Sequence, residues 1–350
     1  MDLLDRLRSR TNDLARTTDV EGVRAAIRHI QAAERHYQRA SEEGDEEALN
    51  DVIYRTNQAF EGMLKEAFGV LSSSDGNKKS PYEIEKHLLE KNVLAERVLV
   101  LFKNYRQEWR NPSTHNHLLF FDEQEALLAI VSVSAFANIL LDQIVEAENF
   151  AAEQRMLAET PPAIDTSVST KVPQPFSYQV AHMLGRFARS RHVAAMSEEG
   201  AAGGRQSEFA LVGQISAFLK TVAPDIEIAR EPLLGEDRGL RPDIIVRRGT
   251  ESTVVEIKAT SPGSKNIMRG IEQLRAYVTV GDFSDGILFF ASQGGYTDVS
   301  ILEMQFETTG ISRTLRIVSS DAASSTYWFE MSEYWQAMSA QAKVEVWSST

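Results

Sequence analysis

Two apolar segments joined by a tight turn constrain the fold of this chain more than any other feature. Asp243–Arg247 and Thr253–Ala259 are both rich in Ile and Val, which favour β-strands. Gly249 begins a two-residue loop between the segments, and a loop with Gly in first place suits a type II′ hairpin turn. The sequence therefore predicts an antiparallel β-hairpin in the second half of the chain.

The register of this hairpin places two carboxylates and an ammonium group on one face. If Arg248 pairs with Glu251, counting back along both strands sets Asp243 opposite Glu256. Opposite residues of a pleated pair share a face, and Lys258 shares it as well. Charges inside an apolar segment are costly unless they are paired or bind a metal ion. Two carboxylates can hold Mg²⁺, and a lysine can orient water or stabilise charge on a phosphate.

These residues resemble the PD-(D/E)XK nuclease motif of the restriction-endonuclease-like fold. Here the motif is Pro242-Asp243 followed by Glu256-Ile257-Lys258. Glu208 heads a helix whose apolar stripe predicts that Glu208 lies along the buried face, as in the family, and Gln273 lies on the helix after the motif strand. The resemblance implies catalytic roles for Glu208, Asp243, Glu256, Lys258 and Gln273, with Glu208, Asp243 and Glu256 as ligands of Mg²⁺ or Mn²⁺. An exposed hairpin with salt-bridged charges and a surface glutamine is the structural alternative.

Helical periodicity dominates the first half of the chain. Val23–Arg39 and Glu46–Leu71 carry apolar residues at helical spacing. Capping boxes at Ser80–Glu83 and Asp122–Glu125 open two further helices. This half is therefore predicted to be an all-α bundle.

Arg110, Asn111 and His115 lie between two of these helices, with Arg110 in the last turn of the first helix and His115 in the loop before the second. Histidine can act as general base or acid on a ribose hydroxyl, and arginine can hold the phosphate. The spacing is similar to the R-x(4–6)-H signature of HEPN domains, and Asn57 and Glu61 add to the resemblance. The resemblance implies a metal-free RNase site and a homodimer. A helix-capping Arg110 with an ordinary loop histidine, or a HEPN fold that only dimerises, is the alternative.

The remaining segments divide the chain into three parts. Leu157–Pro175 has the Thr, Pro, Ser and Ala content of a linker, and Phe176–Ala194 predicts a basic helix. We expect a HEPN-like bundle at 1–155, a linker with a basic helix at 156–205, and an α/β restriction-endonuclease-like domain with a mixed central sheet at 206–350. The elements expected in the last part are helices at Ser207–Thr221 and Lys265–Val278, and strands at Ile226–Glu231, Asp243–Arg247, Thr253–Ala259, Gly286–Ala291, Leu315–Ser319 and Tyr327–Glu330.

The amino-acid composition indicates the cellular compartment of the chain and how strongly it binds nucleic acid. The chain has no Cys, which excludes disulfides and thiolate sites and fits a reducing compartment. The N-terminus has no secretory h-region, and the apolar stretch Ala126–Leu141 predicts a core helix ending near Val145 rather than a membrane span. We therefore expect a cytoplasmic protein. The net charge of −13 predicts weak non-specific affinity for nucleic acid.

A HEPN-like bundle joined to a PD-(D/E)XK domain resembles proteins of bacterial anti-phage defence and abortive infection. The two resemblances imply a Mg²⁺-dependent DNase, with DNA favoured over RNA, whose helical domain dimerises the chain. If the nuclease is regulated, the control is expected from a regulatory protein partner, from oligomerisation or from a nucleic-acid trigger. No P-loop motif occurs in the sequence, so no ATP-driven activity is expected. One alternative is an RNase toxin centred on Arg110 and His115, with the α/β domain recruiting nucleic acid. Another is a non-catalytic scaffold that binds protein partners.

Overall fold

The computed structural model divides the chain into two compact units, Met1–Glu148 and Asn149–Thr350. The predicted helical first part and mixed sheet in the last part are confirmed at this coarse level. The structure describes residues 3–15, 19–90, 96–111, 120–161, 174–197, 207–235, 239–259, 264–291, 298–308, 310–320 and 344–348.

The first unit is built from helices. They are α1 (Leu3–Leu14), α2 (Glu21–Glu43), α3 (Glu47–Ser72), α4 (Pro81–Glu90), α5 (Glu96–Tyr105) and the first part of α6 (Glu123–Glu159). Both predicted capping boxes form, because the Ser80 N–H bonds Glu83 at 2.9 Å and the Asp122 N–H bonds the Glu125 carboxylate at 3.0 Å. In the aromatic core of this unit, the ring of Phe60 stacks on the ring of Tyr105, with 4.6 Å between the ring centroids. α1, which was not predicted, buries Leu4, Leu7 and Leu14.

Helix α6 is longer than the sequence pattern predicts. It ends at Glu159 rather than near Val145, because the intervening Ala, Glu, Gln, Met and Leu residues are strong helix formers. Pro161 follows soon after its end. Among the described residues, α6 is the one helix long and apolar enough to cross a membrane. Val133, Phe136 and Leu140 are nevertheless buried inside the first unit, as in a core helix.

The second unit is a seven-stranded mixed sheet with helices on both faces. Its helices are the end of α6, α7 (Phe176–Ser197), α8 (Glu208–Val222) and α9 (Ser264–Val280), and its strands are β1 (Glu227–Arg230), β2 (Ile244–Arg248), β3 (Glu251–Lys258), β4 (Asp285–Phe290), β5 (Val299–Thr308), β6 (Ile311–Ser320) and β7 (Val344–Ser348). The strand order is β1-β2-β3-β4-β6-β5-β7. β3, β4 and β6 run parallel to one another, whereas the other neighbours are antiparallel.

Alternating side chains of the hairpin face two separate cores. Ile244 and Val255 belong to the core that α7 and α8 cover. Ile245 and Val254 belong to the core on the other face, against α9. Because the side-chain period of a strand is two residues, Asp243, Glu256 and Lys258 project on the α9 side.

The basic helix assigned to a linker is instead a core element of the sheet unit. Val180, Leu184 and Phe187 on α7 are buried against the sheet. These positions repeat at i, i+4 and i+7, which is the apolar stripe of a helix that packs against a core. The sequence pattern placed α7 in a linker segment at 156–205, whereas in the structure the helix packs against the sheet, and the Arg191 guanidinium lies 5.0 Å above the ring of the buried Phe187.

Most predicted elements of the second unit are present, with ends displaced by a few residues. β5 and β7 were not predicted, and the predicted strand at Leu315–Ser319 is part of the longer β6. The predicted strand at Tyr327–Glu330 lies outside the described residues.

Candidate active site

The hairpin β2–β3 has the register expected from its turn. Arg248 pairs with Glu251, and Ile244 pairs with Val255. Gly249 has a φ of +59°, which glycine adopts without strain and which a primed hairpin turn requires in its first position. Asp243 immediately precedes β2, so the same register sets it beside the Glu256 position of β3.

Asp243 is tied to both of its neighbouring strands. Its Oδ2 accepts a hydrogen bond of 2.6 Å from the backbone N–H of Ile257. Its own carbonyl oxygen accepts a bond of 3.0 Å from the N–H of Glu231, which follows β1. These two contacts hold the carboxylate of Asp243 against β3 at the level of Glu256.

Glu256 and Lys258 form a close ion pair inside the sheet unit. The Lys258 Nζ donates to the Glu256 Oε1 at 2.5 Å, and Glu256 is only 2% exposed. The other oxygen, Oε2, is buried and has no hydrogen bond of good geometry within the described residues, although the backbone N–H of Asp243 acts on the carboxylate and lowers its pKa. Leaving such an atom unsatisfied costs about 1–3 kcal/mol or more for a charged group. A buried anionic oxygen of this kind, next to a second carboxylate, has the donor chemistry that a hard divalent cation needs.

Electrostatics at this cluster are dominated by burial and by crowding of negative charge. Burial and the charge of Glu256 raise the pKa of Asp243 well above its usual range, although the Ile257 N–H opposes the rise. Burial also raises the pKa of Glu256, despite the neighbouring ammonium group. Burial lowers the pKa of Lys258, but Glu256 and Asp243 outweigh that effect and raise it. An additional cation would relieve the repulsion between the two carboxylates.

Glu208 is near the cluster but is not part of its buried centre. It is the first residue of α8, where the hydroxyl of Ser207 caps the helix by accepting from Ala210 at 3.2 Å. Its negative charge acts to raise the pKa of both Asp243 and Glu256. Its side chain is exposed, so the prediction that it lies along the buried face was wrong.

The predicted set of three metal ligands does not converge. Across the described ranges, no three His, Asp or Glu side chains are placed so that together they could hold a metal ion, and Glu208, Asp243 and Glu256 are no exception. The arrangement that remains is a pair, Asp243 and Glu256. Mg²⁺ commonly takes one or two protein carboxylates and completes its octahedron with water and substrate oxygens, so a pair fits such an ion.

Gln273 reaches the cluster only through a second residue that sequence reasoning missed. Its amide donates to the hydroxyl of Tyr277 at 3.2 Å, and this hydroxyl donates to the carbonyl of Arg241 at 3.0 Å. Burial and the charge of Glu256 raise the pKa of Tyr277 to about 12. The available signal was the helical spacing, because Gln273 and Tyr277 are four residues apart and therefore share one face of α9.

The second predicted site, in the helical unit, is described in part. Arg110 closes a π-helical turn at Arg106–Arg110, and its guanidinium contacts Glu61 at 3.1 Å and Asn111 at 3.3 Å. Such turns occur frequently at functional sites. The structure thus brings Arg110 together with Asn111 and with Glu61 of α3. His115 lies outside the described residues.

Comparison of the chain with protein-family models, with curated proteins and with solved structures returned no match. The function of the chain is therefore argued from its own residues and from the geometry of each unit.

Proposed function

We propose that the sheet unit is a metal-dependent nuclease of the PD-(D/E)XK type, which hydrolyses phosphodiester bonds with DNA favoured over RNA. The observation that carries this proposal is the cluster on one face of the hairpin. Asp243 and Glu256 lie side by side with Lys258, and a buried oxygen of Glu256 lacks a hydrogen bond of good geometry within the described residues. A purely structural ion pair would need neither the second carboxylate nor the unsatisfied oxygen.

Each residue of the cluster has a role in this chemistry. Asp243 and Glu256 would hold Mg²⁺ or Mn²⁺, which polarises the phosphate and lowers the pKa of a bound water when it is present. Lys258, beside Glu256, offers ammonium protons to the attacking water or to a phosphate oxygen. The exposed Glu208 would act on the cluster from its rim, through charge or through water.

The order of elements around the cluster supports the same proposal. Helix α8, strand β1, the hairpin β2–β3, helix α9 and strand β4 follow one another along the chain. This is the order of helix, strand, hairpin, helix and strand that the restriction-endonuclease resemblance implies. Asp243 precedes β2 and Glu256 and Lys258 end β3, so the cluster lies at the end of the hairpin opposite its turn.

A nuclease assay with matched variants tests the proposal. The wild type, Glu256→Gln and Glu251→Gln would be incubated with double-stranded DNA, single-stranded DNA and RNA, in Mg²⁺, in Mn²⁺ and in EDTA. We expect cutting that requires the metal and falls at least about 100-fold in Glu256→Gln, as for loss of a transition-state contact. Glu251 is on the same strand but at the turn, with a half-exposed side chain, so Glu251→Gln should cut normally. Full activity of Glu256→Gln would remove the proposal.

The helical unit supports a second candidate activity, metal-free RNA cleavage at Arg110, Asn111 and His115. The π-helical turn that presents Arg110 beside Glu61 and Asn111 favours it. In the same assay, this activity would appear as RNA cleavage that survives EDTA and the Glu256→Gln change. It would disappear in Arg110→Ala/His115→Ala. Such a result would make the chain an RNase whose sheet unit recruits nucleic acid.

The proposal also includes self-association through the helical unit. Phe120, Leu127, Leu128 and Val131 expose 71%, 44%, 55% and 47% of their surface around the start of α6. Clustered exposed apolar side chains mark contact sites, and an apolar face can pair with its own copy across a two-fold axis. We therefore assign this face to a second copy of the chain. A cytoplasmic, anti-phage effector under the control of a regulatory protein partner is the biological setting that we propose for this dimer.

A further inference from the structure

Tyr277 occupies a buried position between α9 and the segment that leads into β2. Its side chain is 4% exposed and lies in the core on the α9 face of the sheet, with Ile271 and Leu274. Its hydroxyl accepts from Gln273 and donates its single proton to the carbonyl of Arg241. With that proton committed and its ring buried, Tyr277 is poorly placed to contact a substrate directly.

The segment that Tyr277 holds is the one that carries Asp243. Asp243 lies outside the regular ladder, because β2 begins at the next residue. Three bonds of 3.0 Å fix the approach to it: Tyr277 to the Arg241 carbonyl, the Arg241 guanidinium to the Glu231 carbonyl, and the Glu231 N–H to the Asp243 carbonyl. Pro242, between Arg241 and Asp243, has no N–H with which to add a bond.

We propose that Tyr277 is a positioning residue for Asp243. By holding the Arg241 carbonyl, its hydroxyl keeps the Asp243 carboxylate on the Ile257 N–H and beside Glu256. Gln273 then acts by orienting the Tyr277 hydroxyl, and does not itself touch the reacting atoms. The positioning of Asp243 is a statement about the chain alone, whereas its consequence for metal binding rests on the proposed nuclease function. Supporting residues of this kind typically change metal affinity or activity by about 10–100-fold when they are altered.

The experiment is a comparison of wild type, Tyr277→Phe and Tyr178→Phe by amide hydrogen exchange in EDTA. Tyr277→Phe keeps the buried ring and removes only the hydroxyl. We expect the Ile257 amide, which bonds the Asp243 carboxylate, to exchange at least about 10-fold faster, while the Ile317 amide in the centre of β6 keeps its wild-type rate. Tyr178 lies on α7, which covers the opposite face of the sheet from α9, and its ring makes an edge contact with His182 at 4.5 Å between centroids. Tyr178→Phe therefore deletes a hydroxyl remote from Asp243 and should leave Ile257 unchanged.

Two results of the exchange experiment would overturn the proposal. One is an unchanged rate at Ile257. The other is equal acceleration at Ile257 and Ile317, which would mean that the hydroxyl adds only general stability. The exchange rates at Ile257 and Ile317 are measured without a metal ion. If the wild type binds no Mn²⁺, the proposed nuclease function is removed, whereas the exchange rates still decide the positioning role of Tyr277.

A Mn²⁺ titration links the positioning role to the proposed function. We expect Tyr277→Phe to weaken Mn²⁺ binding about 10-fold in the wild-type background. In the Asp243→Asn background, where the positioned carboxylate is gone, removal of the hydroxyl should have no further effect. Equal weakening in both backgrounds would show that Tyr277 does not act through Asp243.

Discussion

At the residue scale, the cluster of Asp243, Glu256 and Lys258 on the hairpin lowers the stability of the folded chain. Asp243 and Glu256 are two carboxylates held together in a site where burial raises the pKa of both. Lys258 supplies one positive charge for the pair. Buried charges that are incompletely compensated lower stability, and proteins retain them mainly where function requires them.

Replacing Asp243 with Asn should stabilise the metal-free chain at high pH. Because folding raises the pKa of Asp243, the folded state holds this proton more tightly than the unfolded state, whose pKa is about 3.9. Stability therefore falls as pH rises from about 4 through the folded-state pKa, and the deficit persists above it. Asn does not titrate, so Asp243→Asn should melt higher than wild type at pH 8 in EDTA and similarly at pH 4. Each 1 kcal/mol corresponds to about 2–4 °C for a unit of this size.

Calorimetry at the two pH values checks this sign. The exposed Asp225, in the turn before β1, provides the control Asp225→Asn, which should melt like wild type at both pH values. A lower melting temperature for Asp243→Asn at pH 8 would contradict the assignment of Asp243 as an incompletely compensated acid whose pKa rises on folding.

The sequence predicts the centre of this cluster but not its surroundings. Asp243, Glu256 and Lys258 follow from a turn type and a two-residue period, both of which are local properties. Glu208 is the exposed first residue of α8, whereas the buried stretch of this helix begins at Ala210, and helical spacing alone does not show where burial starts. The role of Tyr277 depends on a backbone carbonyl 36 residues away, and no residue type in the sequence marks that acceptor.

At the scale of elements, the errors of prediction have identifiable causes. The Thr, Pro and Ser content before α7 favours a linker, but Val180, Leu184 and Phe187 within α7 repeat at the spacing of a helix that packs against a core. β5 was missed although Leu302, Met304 and Phe306 alternate with polar residues, which is a strand pattern. Gly310, with a φ of +78°, closes the tight turn from β5 to β6 and was an available hairpin signal. β7 pairs with β5 across more than 35 residues of sequence, a pairing that local patterns do not reveal.

Leu128→Glu should convert the chain from dimer to monomer. Leu128 is 55% exposed on α6 in the middle of the apolar face assigned to a second copy. A carboxylate there would be desolvated in the dimer but would stay hydrated in the monomer, where surface changes alter stability by only about 0.5 kcal/mol. Size-exclusion chromatography with light scattering measures the outcome. Leu233→Glu, at an exposed leucine of the sheet unit, should leave the dimer intact. A wild type that is monomeric at micromolar concentration would contradict the proposed self-association.

At the scale of the whole molecule, the change of hydrophobic period along the sequence predicts two differently built parts. It does not predict where they divide. The boundary lies at Glu148 and Asn149 rather than near residue 155, and it falls inside α6. A helix that continues through a boundary carries no turn residues there, so no Gly or Pro marks the division.

The acidic body of the molecule sets how it can bind nucleic acid. The net charge is −13, and several buried or half-buried arginines are already committed to carboxylates of the chain, such as Arg316 to Asp285 and Glu303 and Arg313 to Asp282. Arginines committed in this way do not displace counterions from a duplex, and each phosphate contact contributes about −0.9 to the slope of log K against log salt. We therefore expect weak binding with a shallow salt dependence.

Fluorescence anisotropy of Glu256→Gln with a labelled duplex of about 30 base pairs measures both quantities without cleavage. At 0.15 M salt we expect a Kd near the weak end of non-specific binding, about 10⁻⁴ M, and a slope of about −3 or shallower. Such values would mean that the surface contributes little to the affinity for the duplex. Binding of the phosphate at the site would then depend on the metal ion held by Asp243 and Glu256. Nanomolar affinity with a slope near −8 would instead require a basic groove strong enough to overcome the charge of −13, and would contradict this account of binding.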